Sequence, residues 1–137
     1  MVRQGEVLGA AVSFAALPVI LASPPAASAQ QAAAGNAAAG ARQFLACRAC
    51  HTVAPGGANG VGPNLAGIMG AKAGTRPGFA YSPAMKGTTL VWTAAEMDAF
   101  LARPNARLPG NKMAYAGMAN AAARRDLVAY LATLKAK

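Results

Sequence analysis

Cys47-Arg48-Ala49-Cys50-His51 is the stretch that decides how this chain folds. It contains both cysteines and the single histidine of the 137 residues. Two thiols three positions apart near the end of a helix lie close to one face of it. An imidazole follows the second thiol directly. Apart from methionine sulfur, the side chains best suited to bind a soft metal centre are therefore concentrated in this one stretch.

This spacing is the C-x-x-C-H signal for covalent haem attachment. Two thiols so placed can reach both vinyl groups of one porphyrin, and the adjacent imidazole then lies beneath the iron. The covalent links hold that imidazole at a high effective concentration, so ligation persists when the iron changes oxidation state. We predict one haem c with its iron, attached at Cys47 and Cys50 and ligated by His51.

Three other interpretations of the two cysteines remain open. A structural disulfide between them is compatible with an oxidising compartment. A thiol–disulfide exchange site is another possibility, although no strand is predicted before Cys47 and the chain lacks a Cys-Gly-Pro-Cys sequence. Zinc is disfavoured, because two cysteines and one histidine leave a tetrahedral site one ligand short.

The second axial ligand must be methionine, lysine or a small molecule, because His51 is the only histidine. Met113 lies in the turn-rich segment Pro109–Met113, where a side chain can be aimed rather than packed. The local pattern favours Met113 and leaves Met118 as the second candidate. The other methionines of the mature part lie at positions where core filling is expected: Met69, Met85 and Met97.

The composition predicts a thin hydrophobic core. Hydrophobic residues make up 55% of the chain, but only four Phe, three Tyr and one Trp are among them. Much of the remainder is alanine, which buries little area. A large apolar cofactor would compensate for this deficit.

The charge is strongly positive, with 13 Lys and Arg against 4 Asp and Glu and a net charge of +9. Such a field steers docking onto acidic partners. The basic residues are scattered and no aromatic residues are interleaved with them, so we do not predict nucleic-acid binding. Acidic surfaces of other proteins are the expected partners.

The segment Met1–Ala29 has the features of a signal peptide. Arg3 precedes the apolar run Ala10–Ala22, and Ala27-Ser28-Ala29 is a small-x-small cleavage pattern. The run is shorter than the roughly 20 residues that a membrane-spanning helix needs. We predict cleavage after Ala29, a domain over 30–137, and a periplasmic location if the source is Gram-negative. An uncleaved anchor is the alternative.

The pattern of the remaining chain predicts a mostly helical domain with long loops. A helix is expected from Gly40 to about Ala49, and a lead-in without regular structure over Gln30–Ala39. A short helical piece is expected over Asn64–Gly70, and Leu108–Tyr115 is expected to be an extended loop. No alternating run is long enough for a sheet.

Helix boundaries are marked by polar residues and proline. Thr93 and Glu96 form a capping-box pattern, and the helix that they open should end near Arg103, before Pro104. Asn120 is the expected N-cap of the last helix, and a helical turn is expected after Ser82. One apolar stripe of the last helix consists of Leu127, Tyr130, Leu131 and Leu134.

Read in order, the motifs resemble those of class I cytochromes c, of the small mitochondrial and alphaproteobacterial type. The haem signal is followed by G-V-G-P-N-L (Gly60–Leu65), G-F-A-Y-S (Gly78–Ser82) and the single Trp92. P-G-N-K-M-A-Y-A-G-M (Pro109–Met118) and R-R-D-L-V-A-Y-L (Arg124–Leu131) complete the likeness. The resemblance implies an all-α fold, with three main helices, short helical turns and long loops wrapped around one haem c.

The resemblance also implies roles for individual residues. Met113 would be the second axial ligand opposite His51, and the carbonyl of Pro63 would accept a hydrogen bond from the His51 ring. Gly40 and Phe44 would lie where the first and last helices cross. Tyr81 and Trp92 would hydrogen-bond a haem propionate, and the haem pocket would be lined by Leu65, Phe100 and Leu101.

Four positions depart from the mitochondrial pattern, the first being Phe44, which lies one residue closer to Cys47. Phe100 replaces a tyrosine near the methionine sulfur, and Asn111 replaces a threonine in the methionine loop. Ala71 stands where an arginine often supports a propionate, so Arg76 or Lys72 would have to substitute.

The resemblance implies an electron carrier, not an enzyme, acting as a soluble monomer. Its partners would be quinol–cytochrome c reductase and a terminal oxidase or photosynthetic reaction centre. They would approach a haem edge near Ala49 and Tyr115, with Lys86, Arg107 and Lys112 as docking cations. A dedicated electron acceptor of a periplasmic dehydrogenase is the alternative, and a ligand-reactive, peroxidase-like haem is a third.

Overall fold

A computed structural model describes residues 34–136 of the chain. The helices are α1 (Ala37–Gln43), α2 (Pro83–Gly87), α3 (Ala94–Ala102), α4 (Pro104–Arg107) and α5 (Ala121–Thr133), and a 3₁₀ turn, Phe44–Ala46, continues α1. Within 34–136 the only extended pairing is an isolated bridge between Lys72 and Val91. The predicted signal segment Met1–Ala29 lies outside the described residues. The all-α architecture, with α1, α3 and α5 as main helices, is the predicted one.

Four helices begin at a side-chain N-cap. Asn36, Ser82, Thr93 and Asn120 each accept a hydrogen bond from the backbone N–H three residues further on. These polar side chains satisfy N–H groups that have no partner within the helix. The predicted caps at Thr93 and Asn120 and the helical turn after Ser82 are therefore confirmed.

Two local predictions are wrong, and one helix was missed. Helix α1 begins at Ala37, inside the segment expected to lack regular structure, because Asn36 caps a run of good helix formers. The segment Asn64–Gly70 forms turns instead of a helical piece, since Gly67 and Gly70 adopt φ values of +64° and +80°. Helix α4 was not predicted, although Pro104 stands at its first position.

The capping box at α3 is only half formed. The Thr93 hydroxyl accepts from the Glu96 N–H at 3.2 Å, as expected. The Thr93 N–H, however, donates to the Val91 carbonyl at 2.7 Å. The Glu96 carboxylate instead accepts hydrogen bonds of 3.0 and 2.5 Å from the Arg107 guanidinium. This ion pair ties α4 to the start of α3.

Helices α1 and α5 cross at Gly40. A Cβ atom at that position would lie 2.5 Å from the carbonyl carbon of Asp126 and 2.8 Å from the Cβ of Tyr130. One turn further on, the Phe44 ring contacts Tyr130, with ring centroids 5.2 Å apart. Phe44 and Leu127 are almost fully buried. The predicted crossing is confirmed. It fixes the C-terminal end of α1 against α5.

The core lies between these helices and the loops. Trp92 packs edge-on against Phe100, with ring centroids 5.0 Å apart. The other large buried apolar side chains are Phe44, Ile68, Met97, Leu101, Leu127, Val128 and Leu131. Among residues 34–136, none of the helices has the length and apolar character needed to cross a membrane.

Candidate haem site

The two cysteines lie on a turn that continues the 3₁₀ segment. The Cys47 N–H donates to the Phe44 carbonyl at 2.8 Å, and the N–H groups of Cys50 and His51 both donate to the Cys47 carbonyl, at 3.1 and 3.0 Å. This pattern closes a tight loop that carries all three side chains. Both thiols are unpaired, with Cys47 partly buried and Cys50 exposed.

Burial raises the pKa of the Cys47 thiol, and the neighbouring Cys50 acts in the same direction. The thiol is therefore protonated at neutral pH. Exchange sites depend on thiols with lowered pKa values, so this environment argues against a thiol–disulfide exchange role. No group of three His, Cys, Asp or Glu side chains within residues 34–136 could hold a metal ion, so the zinc alternative lacks a donor set there.

The imidazole of His51 has a fixed tautomer. Its Nδ1 lies 2.8 Å from the carbonyl oxygen of Pro63. A carbonyl only accepts hydrogen bonds, so Nδ1 must carry the proton. The lone pair of the neutral ring is then on Nε2, the atom available to a metal. Such a hydrogen bond also makes the ring a stronger donor.

Gly62 gives the His51 ring its space. A Cβ atom at position 62 would lie 2.5 Å from Cε1 and 2.7 Å from Nδ1 of that ring. The Gly62 N–H donates to the Cys50 carbonyl at 2.8 Å, which fixes the Gly62–Pro63 segment on the cysteine turn. The Gly62–Pro63 segment thus forms a cradle for the His51 ring. The ring fits there because residue 62 has no side chain.

Asn64 is a positioning residue whose role was not predicted from the sequence. It is buried, and its amide donates to the Thr52 hydroxyl at 2.8 Å and to the Ala54 carbonyl at 3.0 Å. Its side-chain oxygen accepts from the Ala66 N–H at 2.8 Å. Asn64 therefore ties the segment after His51 to the segment after Pro63. A polar residue directly after Gly-Pro in a predicted apolar pocket was the available signal.

Met113 lies in the extended loop predicted for it, and its side chain packs against the hydrophobic core. Asn111 holds this loop in place. Its amide donates to the carbonyls of Pro104 and Leu108, at 3.1 and 2.8 Å, and its oxygen accepts from the Met113 N–H at 2.9 Å. Asn111, which replaces the family's usual threonine, therefore connects α4 to Met113 through these hydrogen bonds; we call this set of contacts the Asn111 bracket.

The methionine loop meets the cysteine turn at Tyr115. Burial raises the pKa of the Tyr115 hydroxyl, and the nearby Cys47 thiol adds to the shift. This influence requires the two side chains to be close. Tyr115 therefore lies near Cys47, and the haem edge that the resemblance implies at Tyr115 stays a prediction.

The predicted pocket residues surround the same core. Phe100 and Leu101 are 4% and 6% exposed, and Trp92 is 6% exposed. Leu65, Met69, Met85 and Met118 pack against this core from partly buried positions. Tyr81 is partly buried and contacts Phe79 edge-on at 4.8 Å between ring centroids. Met97 is part of this core, and Met69, Met85 and Met118 pack against it just as Met113 does, so the choice of Met113 as ligand rests on its loop and on the family resemblance.

The donor set suits haem c. The turn offers two thiols and the neutral Nε2 of His51, and the Met113 loop offers a thioether. A profile of the cytochrome c family matches residues 37–135. The chain belongs to the cytochrome c family. It is a class I member that carries covalently bound haem c with its iron, and it transfers electrons without being an enzyme.

Individual relatives agree with this assignment. Cytochrome c2 of Rhodoblastus acidophilus is 45% identical over 102 residues, which cover 74% of this chain and 95% of the relative. Cytochrome c of Trypanosoma brucei brucei is 50% identical over 82 residues, 60% of this chain and 88% of the relative. The solved structure of cytochrome cH from Methylobacterium extorquens superposes with a TM-score of 0.68 at 43% identity, covering 72% of this chain and 99% of that one.

One expected docking cation is engaged within the molecule. Arg107 pairs with Glu96, and both side chains remain about one-third exposed. Its charge is therefore partly neutralised by a neighbour. Lys86 and Lys112 are exposed, and they remain candidates for contact with a partner.

Proposed function

We propose that this cytochrome c carries single electrons in the periplasm, with its haem joined at Cys47 and Cys50 and ligated by His51 and Met113. The observation that carries the proposal is the 2.8 Å contact between His51 Nδ1 and the Pro63 carbonyl. It orients the imidazole and, in the neutral ring, assigns the lone pair to Nε2, on the same turn that carries both cysteines. When bound, haem c supplies one-electron exchange between ferric and ferrous iron.

The proposed ligands explain why the chain carries electrons rather than catalyses a reaction. His51 and Met113 would both bind the iron, and a protein ligand set of this kind would leave oxygen or peroxide nowhere to bind. Methionine sulfur favours ferrous iron more than a second histidine does. The Asn111 bracket limits movement of the Met113 loop, which favours the same ligand set in both oxidation states.

The remaining predicted residues would contact the propionates and the apolar faces of the haem. The indole N–H of Trp92 and the hydroxyl of Tyr81 are donors that we assign to a propionate. Leu65, Phe100 and Leu101 supply apolar surface and exclude water. A low-dielectric pocket disfavours the additional positive charge of the oxidised form, so these side chains raise the reduction potential.

The surface charge supports docking onto acidic redox proteins. The acidic residues within 34–136 all make contacts inside the molecule: Glu96 with Arg107, Asp98 with Arg124, and Asp126 with the Asn36 N–H at 2.7 Å. The remaining basic side chains have no acidic partner within 34–136 and are therefore available to bind acidic groups on another protein. Quinol–cytochrome c reductase, a terminal oxidase, a reaction centre or a dehydrogenase would each present such an acidic surface.

Export is the remaining part of the proposal. The apolar run Ala10–Ala22 and the Ala27-Ser28-Ala29 pattern support cleavage after Ala29, with 30–137 as the mature domain. The mass of the periplasmic protein tests this. A mature N-terminus at Gln30 together with the added mass of one haem is expected, whereas a membrane-bound product that retains Met1–Ala29 would contradict it.

Docking is tested by stopped-flow oxidation of the reduced holoprotein by a purified terminal oxidase. We expect the second-order rate constant to fall by at least tenfold as the salt concentration rises from about 10 mM to 300 mM, because screening weakens steering. A rate constant that is flat across this range would contradict docking through complementary charge.

A further inference from the structure

Arg76 carries a buried nitrogen that lacks a partner. Its Nη2 donates to the Ala66 carbonyl at 2.5 Å. Within residues 34–136, its Nε is the one buried side-chain nitrogen or oxygen that has no hydrogen-bond partner. An unsatisfied buried donor is destabilising, and more so when the group is charged. A native structure keeps such a group where something else satisfies it.

The loop around Arg76 is firmly held, so the guanidinium is not a freely moving surface group. Gly74 and Gly78 turn the chain with φ values of +74° and +73°. The Thr75 hydroxyl donates to the Lys72 carbonyl at 2.7 Å, and the Asn59 amide donates to the Pro77 carbonyl at 3.0 Å. These contacts fix the backbone on both sides of residue 76.

Arg76 borders a cavity of about 80 Å³ that is also lined by Ala71, Lys72 and Tyr81. One water molecule needs about 10–15 Å³, so the cavity has room for a carboxylate. Burial raises the pKa of the Tyr81 hydroxyl, while the backbone N–H and the charge of Arg76 lower it. The Tyr81 oxygen therefore lies near Arg76, and the two side chains offer donors to a single anion.

No carboxylate of the described chain is available to this site. Glu96, Asp98 and Asp126 already accept hydrogen bonds elsewhere in the molecule. Residues 34–136 therefore supply no anion to this site, whereas a bound haem c would bring two propionate carboxylates. A guanidinium can bind a carboxylate through two parallel N–H groups, which makes this pair strong and specific in geometry.

We infer that Arg76 supplies the cation that binds a haem propionate in this chain, together with Tyr81. The inference rests on the proposed function, since it requires the haem to be bound there. It also accounts for Ala71, the position where the family often carries an arginine. Ala71 lines the same cavity as Arg76, so an arginine at either position could place its guanidinium there. Lys72 is exposed and has no buried donor in need of a partner.

The first test compares the reduction potentials of Arg76→Gln and Lys72→Gln in the holoprotein. Each variant removes one positive charge from the same loop. Loss of a buried cation near the haem favours the ferric state, so Arg76→Gln should shift the ferrous/ferric equilibrium about tenfold, or about 59 mV for one electron. The shift should persist in high salt, because buried interactions are little screened. The smaller shift of Lys72→Gln should vanish there.

The double variant Ala71→Arg/Arg76→Gln is the rescue. It should restore most of the wild-type potential, since the guanidinium re-enters the same cavity from residue 71. Equal and salt-sensitive shifts in Arg76→Gln and Lys72→Gln would overturn the inference. A wild-type protein that lacks haem or methionine ligation would instead overturn the proposed function, so the two failures are distinguishable.

Hydrogen exchange of the wild-type holoprotein provides a measurement that does not depend on how any variant folds. The Arg76 Nε–H should appear in nitrogen-15 NMR spectra of the reduced protein as a resolved signal. We expect its exchange with water to be at least tenfold slower than that of exposed arginines such as Arg125. Exchange at the rate of those exposed arginines would overturn the inference.

Discussion

At the scale of single residues, the orientation of His51 depends on its neighbours. The Pro63 carbonyl fixes the tautomer, and Gly62 leaves space for the ring. Asn64 then holds the Pro63 segment against the chain that follows His51. The motif C-x-x-C-H identifies the ligand, but these contacts determine where its Nε2 atom lies.

Gly62→Ala tests this arrangement. The new Cβ would lie 2.5 Å from Cε1 of His51, so the ring or the loop must move. We expect a loss of about 1–3 kcal/mol in the free energy of unfolding, as for other overpacked sites, measured by urea denaturation of the holoprotein. Gly87→Ala is the matched control, because a Cβ there meets nothing within 4 Å. Equal stability of both variants would argue against the cradle.

Met113→Ala tests the second ligand. We expect the haem to remain covalently attached, because the cysteines are untouched, and the reduced protein to bind carbon monoxide. The reduction potential should fall by at least about 59 mV, which is a tenfold change in the ferrous/ferric equilibrium. The reason is the loss of the sulfur ligand, which favours ferrous iron. Met118→Ala removes a core methionine of the same segment and should stay closed to carbon monoxide. Binding by both variants, or by neither, would contradict the assignment.

At the scale of elements, the crossing of α1 and α5 supports the cysteine turn. Close approach at Gly40 lets Phe44 pack on Tyr130, and Cys47 follows one turn later. The α4 segment has a similar role on the other side of the site, because Asn111 connects its start and end to the Met113 loop. The two proposed ligands are therefore attached to helix ends rather than to free loops.

Gly40→Ala separates packing from helix propensity. Propensity alone predicts that alanine stabilises a helix by about 0.5–1 kcal/mol relative to glycine. The crossing predicts the opposite sign, with a loss of about 1–3 kcal/mol, because the Cβ would lie 2.8 Å from that of Tyr130. Urea denaturation decides between them, and a stabilised variant would contradict the crossing.

Local sequence signals predicted the elements that depend on one or two residues. Ser82, Thr93 and Asn120 cap helices by themselves, and Pro104 ends α3 at the predicted position. Features that depend on tertiary contact were not predictable in this way. The Glu96 carboxylate binds Arg107 of α4 instead of the backbone at the start of its own helix. The segment Asn64–Gly70 forms turns instead of a helix because two of its glycines adopt positive φ values.

In the site, too, the residues of the sequence motifs were predicted, whereas the roles that depend on tertiary contacts were not. The motif and the family resemblance pointed to the cysteine turn, His51 and Met113 from sequence alone. Asn64 and Asn111 act through hydrogen bonds to backbone groups up to ten and seven residues away, and the buried Nε of Arg76 has no partner among the described residues. No local pattern contains that information.

At the scale of the whole molecule, charge is the feature that bears on partners. The three acidic residues within 34–136 are engaged in internal contacts, while Lys86 and Lys112 are exposed. Lys112 directly precedes Met113, next to the edge marked by Tyr115. A partner drawn to Lys112 would therefore dock next to the proposed ligand Met113.

Lys112→Glu tests that docking edge. At low ionic strength we expect the rate constant with a terminal oxidase to fall about tenfold, because a repulsive charge replaces an attractive one at the contact. Arg125→Glu is the matched control, since it changes the net charge equally on α5, outside the methionine loop. An equal decrease in both variants would indicate that only net charge matters and would contradict docking at this edge.

The most direct test of the central claim is iron X-ray absorption of the haem-loaded protein in both oxidation states. The proposed ligation by His51 and Met113 predicts a single sulfur scatterer beside the nitrogen shell, present in ferric and ferrous samples alike. A spectrum with nitrogen ligands only, or with sulfur in just one oxidation state, would contradict it.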